Sequence, residues 1–178
     1  MLLCGIVDEL KKLTPPSLLS FFFCQGTDSR INNATAVLRG LIYLLADQQP
    51  SLASHLRKKY DHAGKSLFKD PNSWVALSDI FKNILQDTNL KMTYLVIDAF
   101  NECVTDLPKL LDFIIDTSSS SARVEWLLSS RNELHIKQKL RSADEQTSLS
   151  LKLKKNAEQV SCTVDVYIND KLSRFESL

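Results

Sequence analysis

Glycine is scarce: only four occur in 178 residues, Gly5, Gly26, Gly40 and Gly64. A phosphate-binding loop, G-x-x-x-x-G-K-[ST] after a strand, needs paired glycines so that backbone amides can surround the anion. No two of the four have that spacing. Ala63-Gly64-Lys65-Ser66 copies the tail of such a loop, but Lys59 stands where the leading glycine belongs, and the preceding LRKKYDH reads as helix. The match is a decoy.

Cysteine is sparse as well. Cys4, Cys24, Cys103 and Cys162 form no C-x-x-C pair, which excludes a zinc ribbon and the disulfide framework of a small secreted domain. Cys4 and Cys24 sit in apolar runs and read as reduced core thiols. His55, His62 and His135 are too dispersed for a metal site. Neither charge sign dominates: 22 Lys and Arg face 21 Asp and Glu, for a net charge of +1. With the basic residues scattered, neither nucleic acid nor a membrane is expected as a partner. No run reaches the roughly 18 apolar residues that cross a bilayer, and MLLCGIVDEL lacks the basic start of a signal peptide. A cytoplasmic location is the expectation. No G-x-S-x-G elbow, Cys/His arrangement or kinase signature is present.

What is there reads as one α/β domain. Apolar residues at 44% and charged residues at 24% suit a globular fold. Met1 to Leu13 reads as an amphipathic helix stopped by Thr14-Pro15-Pro16. Leu18 to Cys24, LLSFFFC, reads as a strand buried on both faces. Asn32 or Asn33 caps a helix, ATAVLRGLIYLLADQ, and Pro50 opens another. Asp70-Pro71 starts a third, in which Trp74, Leu77, Ile80, Phe81, Ile84 and Leu85 recur at helical spacing. TYLVID is a second strand, TDLPKLLDFIID a helix, RVEWLLSSR a third strand, NELHIKQKLRS a helix and TSLSLKL a fourth strand, before a final helix capped by Asn156. Strands separated by helices imply a largely parallel sheet.

Ligands of such sheets bind at the carboxyl ends of the strands. Three loops, 25–30, 98–102 and 129–132, therefore converge on one rim. Asp98 ends the apolar run Tyr94-Leu95-Val96-Ile97, where a carboxylate needs a cation, an arginine or backbone donors. It either holds a hard Mg²⁺ or caps the helix region near Thr105. Glu102, four residues on, is placed to polarise a water that attacks a γ-phosphate. Arg131 either bridges phosphate oxygens or pairs with Asp98 or Glu102.

SFFFCQGTDSRINNATAVLRGLIYLL, YLVIDAFNEC and VEWLLSSR, in this order, resemble the fungal NACHT domains of STAND-type NTPases, the regulators linked to vegetative incompatibility. The resemblance implies that residues 1–178 are a partial NACHT domain with a three-layer, P-loop NTPase-like fold of the ASCE/STAND kind. That fold is a parallel sheet flanked by helices, lacking here its first strand and P-loop, which the family places before a stretch like MLLCGIVDEL. Asp98 then matches the metal-associated Asp, Glu102 the catalytic acid and Arg131 the nucleotide-sensing arginine. The family's D-x-x-D-E becomes Asp98-Ala99-Phe100-Asn101-Glu102, so Asn101 replaces an acid at a catalytic position. Mg²⁺ with ATP or GTP is implied for the longer protein and neither for this chain alone. The implied partners are further copies of itself or full-length NACHT proteins, either in a nucleotide switch or as a non-catalytic interaction module acting on relatives.

Overall fold

Thr93–Asp98 is a strand because its alternating residues satisfy two different cores, and that alternation organises the molecule. The computed structural model describes residues 2–12, 17–64, 73–118 and 121–143. In chain order these form α1 (Leu2–Leu10), β1 (Leu18–Phe23), α2 (Ala34–Gln48), α3 (Ala53–Ala63), α4 (Ser73–Leu85), β2 (Thr93–Asp98), α5 (Leu107–Ser118), β3 (Val124–Leu128) and α6 (Leu134–Ala143). A turn of 3-10 helix at Pro50–Leu52 leads into α3. The expected fourth strand, the final helix, the Asp70-Pro71 cap and Cys162 lie outside the described residues.

The sheet is parallel with order β1-β2-β3, pairing Phe23 with Asp98 and Ile97 with Leu128. One face carries Leu18, Leu95, Ile97 and Val124 into the main core with Leu41 of α2, Phe81 of α4 and Phe113 of α5. The other face carries Leu19 and Val96 against Leu3 and Val7 of α1. Helices therefore cover both faces. Phe81 and Phe113 stack at 5.6 Å, and Trp126 meets Phe81 edge-on at 6.1 Å. Each fully buried side chain of this kind contributes about 1.5–3 kcal/mol.

Local chemistry sets the boundaries. Asn33 caps α2 through its side-chain oxygen, which accepts the Ala36 N–H at 2.9 Å. Gly40 lets α2 approach β1 closely, since a Cβ there would stand 2.6 Å from Cδ2 of Phe22. Gly64, at φ 56°, closes α3 by donating to the Tyr60 carbonyl, the helix-ending use of glycine rather than an anion cradle. The outer edge of β1 is blunted at Leu19: the Gln48 carboxamide accepts its N–H at 3.0 Å and donates to its carbonyl at 2.8 Å.

Two expectations need correction. β1 is not buried along its whole length, because Phe21 and Phe22 are half-buried and Phe23 is exposed; α1 covers only part of the face that carries Phe21 and Phe23. β3 ends at Leu128, so Arg131 lies in a loop rather than at the end of a strand. The ladder gives out once Ser129, after donating its N–H to Ile97, turns its hydroxyl to Asp98.

Candidate functional site

The carboxyl ends of the three strands meet at one rim, as the loop positions predict. Asp98 continues the Tyr94, Val96 alternation and so lies on the α1 side, beside Phe23 of β1. Ala99 then takes a left-handed conformation, φ 52° and ψ 44°, and starts a turn of 3-10 helix, Phe100–Glu102. Phe100 is fully buried and anchors this turn in the core. The reversal brings Asp98, Asn101 and Glu102 to one rim.

Each of these side chains has a defined partner. Asp98 Oδ1 accepts the Ser129 hydroxyl, and the same hydroxyl oxygen accepts the Ala99 N–H at 3.0 Å. Asp98 thus faces β3 and does not cap the Thr105 region. Glu102 Oε2 accepts the Gly26 N–H at 3.0 Å. Asn101 Oδ1 accepts the Arg131 N–H at 2.9 Å. The Arg131 guanidinium stands 4.0 Å from Glu102 Oε1, and its side chain is 81% exposed. Of the two acids considered for Arg131, Glu102 is the one it approaches. An exposed pair at that range is worth about 0–1 kcal/mol, so little energy holds the guanidinium in place.

The loop after β1 is itself ordered. Asn32 donates from its side chain to the Gly26 carbonyl at 3.0 Å, and Thr105 donates its N–H to the Asn32 carbonyl at 3.2 Å. Arg30 grips Asp28 through Nε and Nη2, and these hydrogen bonds hold the Asp28 carboxyl down at about 2. Cys24 and Cys103 lie beneath the rim. Burial pushes each thiol up to about 12; the charges of Cys103, Glu102 and Asp98 add to the effect on Cys24, and that of Asp106 to the effect on Cys103. Cys4 is only half-buried, short of a full core position.

The donors at the rim are hard oxygens. No cluster of three His, Cys, Asp or Glu side chains able to cage an ion occurs among the described residues. Hard oxygens on Asp98 and Ser129 suit a magnesium ion that keeps waters and takes its other ligands from phosphate. For the phosphates, the sequence holds no glycine-lined loop.

The reading from sequence named the loops but missed two groups in them: the Ser129 hydroxyl and the Gly26 amide. A hydroxyl one residue beyond a strand, level with a strand-end Asp in the neighbouring strand, is the signal that locates Ser129. Nothing in the local pattern around Gly26 announces Glu102.

Comparison with known proteins places the chain. Residues 1–131 match the family described as nephrocystin 3, N-terminal. The chain is also similar to the vegetative incompatibility protein HET-E-1 of Podospora anserina, at 60% identity over 174 residues. The match covers 98% of this chain and 13% of that protein, so the chain spans a small part of its relative's length. No solved structure matches significantly. The resemblance to fungal vegetative-incompatibility proteins is borne out.

Proposed function

Since the chain belongs to the nephrocystin 3 N-terminal family, we propose that it is part of a NACHT-type signalling NTPase of the P-loop, STAND class. The parent protein acts as an ATP- or GTP-dependent switch in fungal non-self recognition or programmed cell death. One observation carries this reading: Asp98, Glu102 and Arg131, at the end of β2 and in the loops beyond β2 and β3, share one rim, with Asp98 bonded to Ser129, Glu102 to Gly26 and the Arg131 backbone to Asn101. Asp98, supported by Ser129, is the residue that would hold Mg²⁺, whose charge offsets that of the phosphates. Glu102 orients a water, and Arg131 offers its guanidinium to a phosphate oxygen.

The cradle is what this chain does not supply. Backbone amides at a helix N-terminus and a lysine carry most of the hold on nucleotide phosphates. In their absence the chain alone binds nucleotide weakly or not measurably. The test uses a longer protein that joins this segment to a G-x-x-x-x-G-K-[ST] loop. There Glu102→Gln is expected to slow magnesium-dependent hydrolysis by about 10²-fold or more while nucleotide stays bound. Unchanged turnover would refute the assignment.

A second reading, a non-catalytic module acting on full-length relatives, draws on one feature. Among the described residues β3 is paired only on its β2 side, so its other edge offers backbone donors and acceptors to a partner strand. Co-purification of the chain with a full-length relative, abolished by a proline at Trp126 or Leu128, would favour it.

A further inference from the structure

Arg131 is tethered at its root and loose at its tip. Its N–H donates to Asn101 Oδ1 at 2.9 Å, while its carbonyl accepts the Ser130 hydroxyl at 2.7 Å and the Glu133 N–H at 2.8 Å. Among the described residues, its guanidinium, 81% exposed, has only the 4.0 Å approach to Glu102 to steer it. β3 has already ended, and the last main-chain link between the β2 and β3 loops is the Phe100 N–H to the Ser129 carbonyl at 2.8 Å. Beyond that point no ladder among the described residues fixes the loop. The root of the arginine is therefore set on the β2 side by one side chain, and the reach of a long flexible group follows from where its root sits.

We propose that Asn101 is a positioning residue for Arg131. Its side-chain oxygen fixes the Arg131 backbone so that the guanidinium stands between Glu102 and an incoming phosphate. This deepens the reading of the rim as a phosphate-facing site and rests on it. It also changes the meaning of the Asn. An amide oxygen and a carboxylate oxygen accept the same N–H, so Asn and Asp serve equally as the anchor. They differ in charge and in the amide's N–H donors: an Asp would add a third carboxylate beside Asp98 and Glu102, which attracts a cation and repels an anion.

Two substitutions separate anchor from filler. Asn101→Asp keeps the acceptor, and Asn101→Leu keeps the approximate volume without it. Amide hydrogen exchange is measured by NMR on the 178-residue chain, and the Arg131 Nε–H signal is followed during titration with magnesium pyrophosphate in a longer protein that joins this segment to a G-x-x-x-x-G-K-[ST] loop. In Asn101→Leu the Arg131 amide should exchange about fivefold faster, the loss of one ordinary hydrogen bond, while the Cys24 amide keeps its rate. Asn101→Asp should keep the wild-type rate at Arg131. Equal Arg131 rates in wild type and Asn101→Leu overturn the proposal, as does an Asn101→Asp protein that exchanges as fast as Asn101→Leu. In the titration, an Nε–H response in wild type should shrink in Asn101→Leu; an undiminished response also overturns it. No response in any variant removes the phosphate-facing reading instead, with the amide rates still deciding whether Asn101 anchors the loop.

Discussion

The Gly26 N–H donates to Oε2 of Glu102 at 3.0 Å, joining residues 76 apart in the chain. One bond thereby couples the loop after β1 to the turn after β2. A Cβ on Gly26 would stand 3.8 Å from the Glu102 Cβ, so the approach is close without being crowded. The acid that the proposed chemistry needs for water is, in this structure, also a structural fastener.

Glu102→Ala removes the acceptor and leaves a partly buried N–H unpaired, at a cost of about 1–3 kcal/mol. Glu102→Gln keeps an acceptor oxygen and should lose only the weak attraction to Arg131. Urea unfolding of both variants checks this: the alanine midpoint should fall and the glutamine midpoint stay near wild type. Equal losses would show that charge, not the hydrogen bond, holds the loop.

Ser129 serves two groups at once, donating to Asp98 and accepting from Ala99. Ala99 is held at φ 52°, a conformation that costs an alanine roughly 1–2 kcal/mol. Ser129→Ala should therefore destabilise the chain by about 1–3 kcal/mol. Ser129→Thr, which keeps the hydroxyl, should restore most of it. A Ser129→Ala protein as stable as wild type would mean that the hydroxyl does not hold the turn.

At the opposite end of the sheet, His55 Nε2 lies 2.7 Å from Asp87 Oδ2. The His55 contact, and then the Asn89 N–H, hold the Asp87 carboxyl below its ordinary value. A carboxyl depressed in the folded state adds stability that is complete above the unfolded value, about 4, and disappears as pH falls through the lower folded value. Asp87→Asn should lower stability at pH 6 and flatten its decline below pH 4. An equally steep acid decline in the variant would contradict this.

Cys24 and Cys103, both raised to about 12, should react with a thiol reagent at pH 8 far more slowly than half-buried Cys4. Because their folded values are raised, their contribution to stability is complete below the unfolded thiol value and is lost as pH climbs toward 12. Fast labelling of all thiols in the native protein would show the rim to be open beneath its surface.

Local pattern carried much of the fold. TYLVID spans β2 with its Asp at the end, ATAVLRGLIYLLADQ spans α2, and Asn33 caps it as a short polar side chain before an apolar helix should. Val37, Leu38, Leu41, Ile42 and Leu45 of α2, apolar residues at helical spacing, are buried, while Leu44 is only half-buried. These are decisions among near neighbours in sequence, and periodicity records them. The partners of Glu102, Asn101 and Asp98 lie 76, 30 and 31 residues away, and no spacing rule encodes a hydrogen bond across a sheet. Asn101 shows the limit best: its type suggested a missing charge, and only its position shows an anchor for Arg131.

The most direct test of the central claim, a rim that offers acids and an arginine without a glycine-lined anion grip, is the melting temperature of the 178-residue chain with and without 1 mM Mg·ATP. The account predicts no change. A nucleotide bound at about 10 μM would add about 2.7 kcal/mol and raise the melting temperature by several degrees. A rise of that size would contradict it.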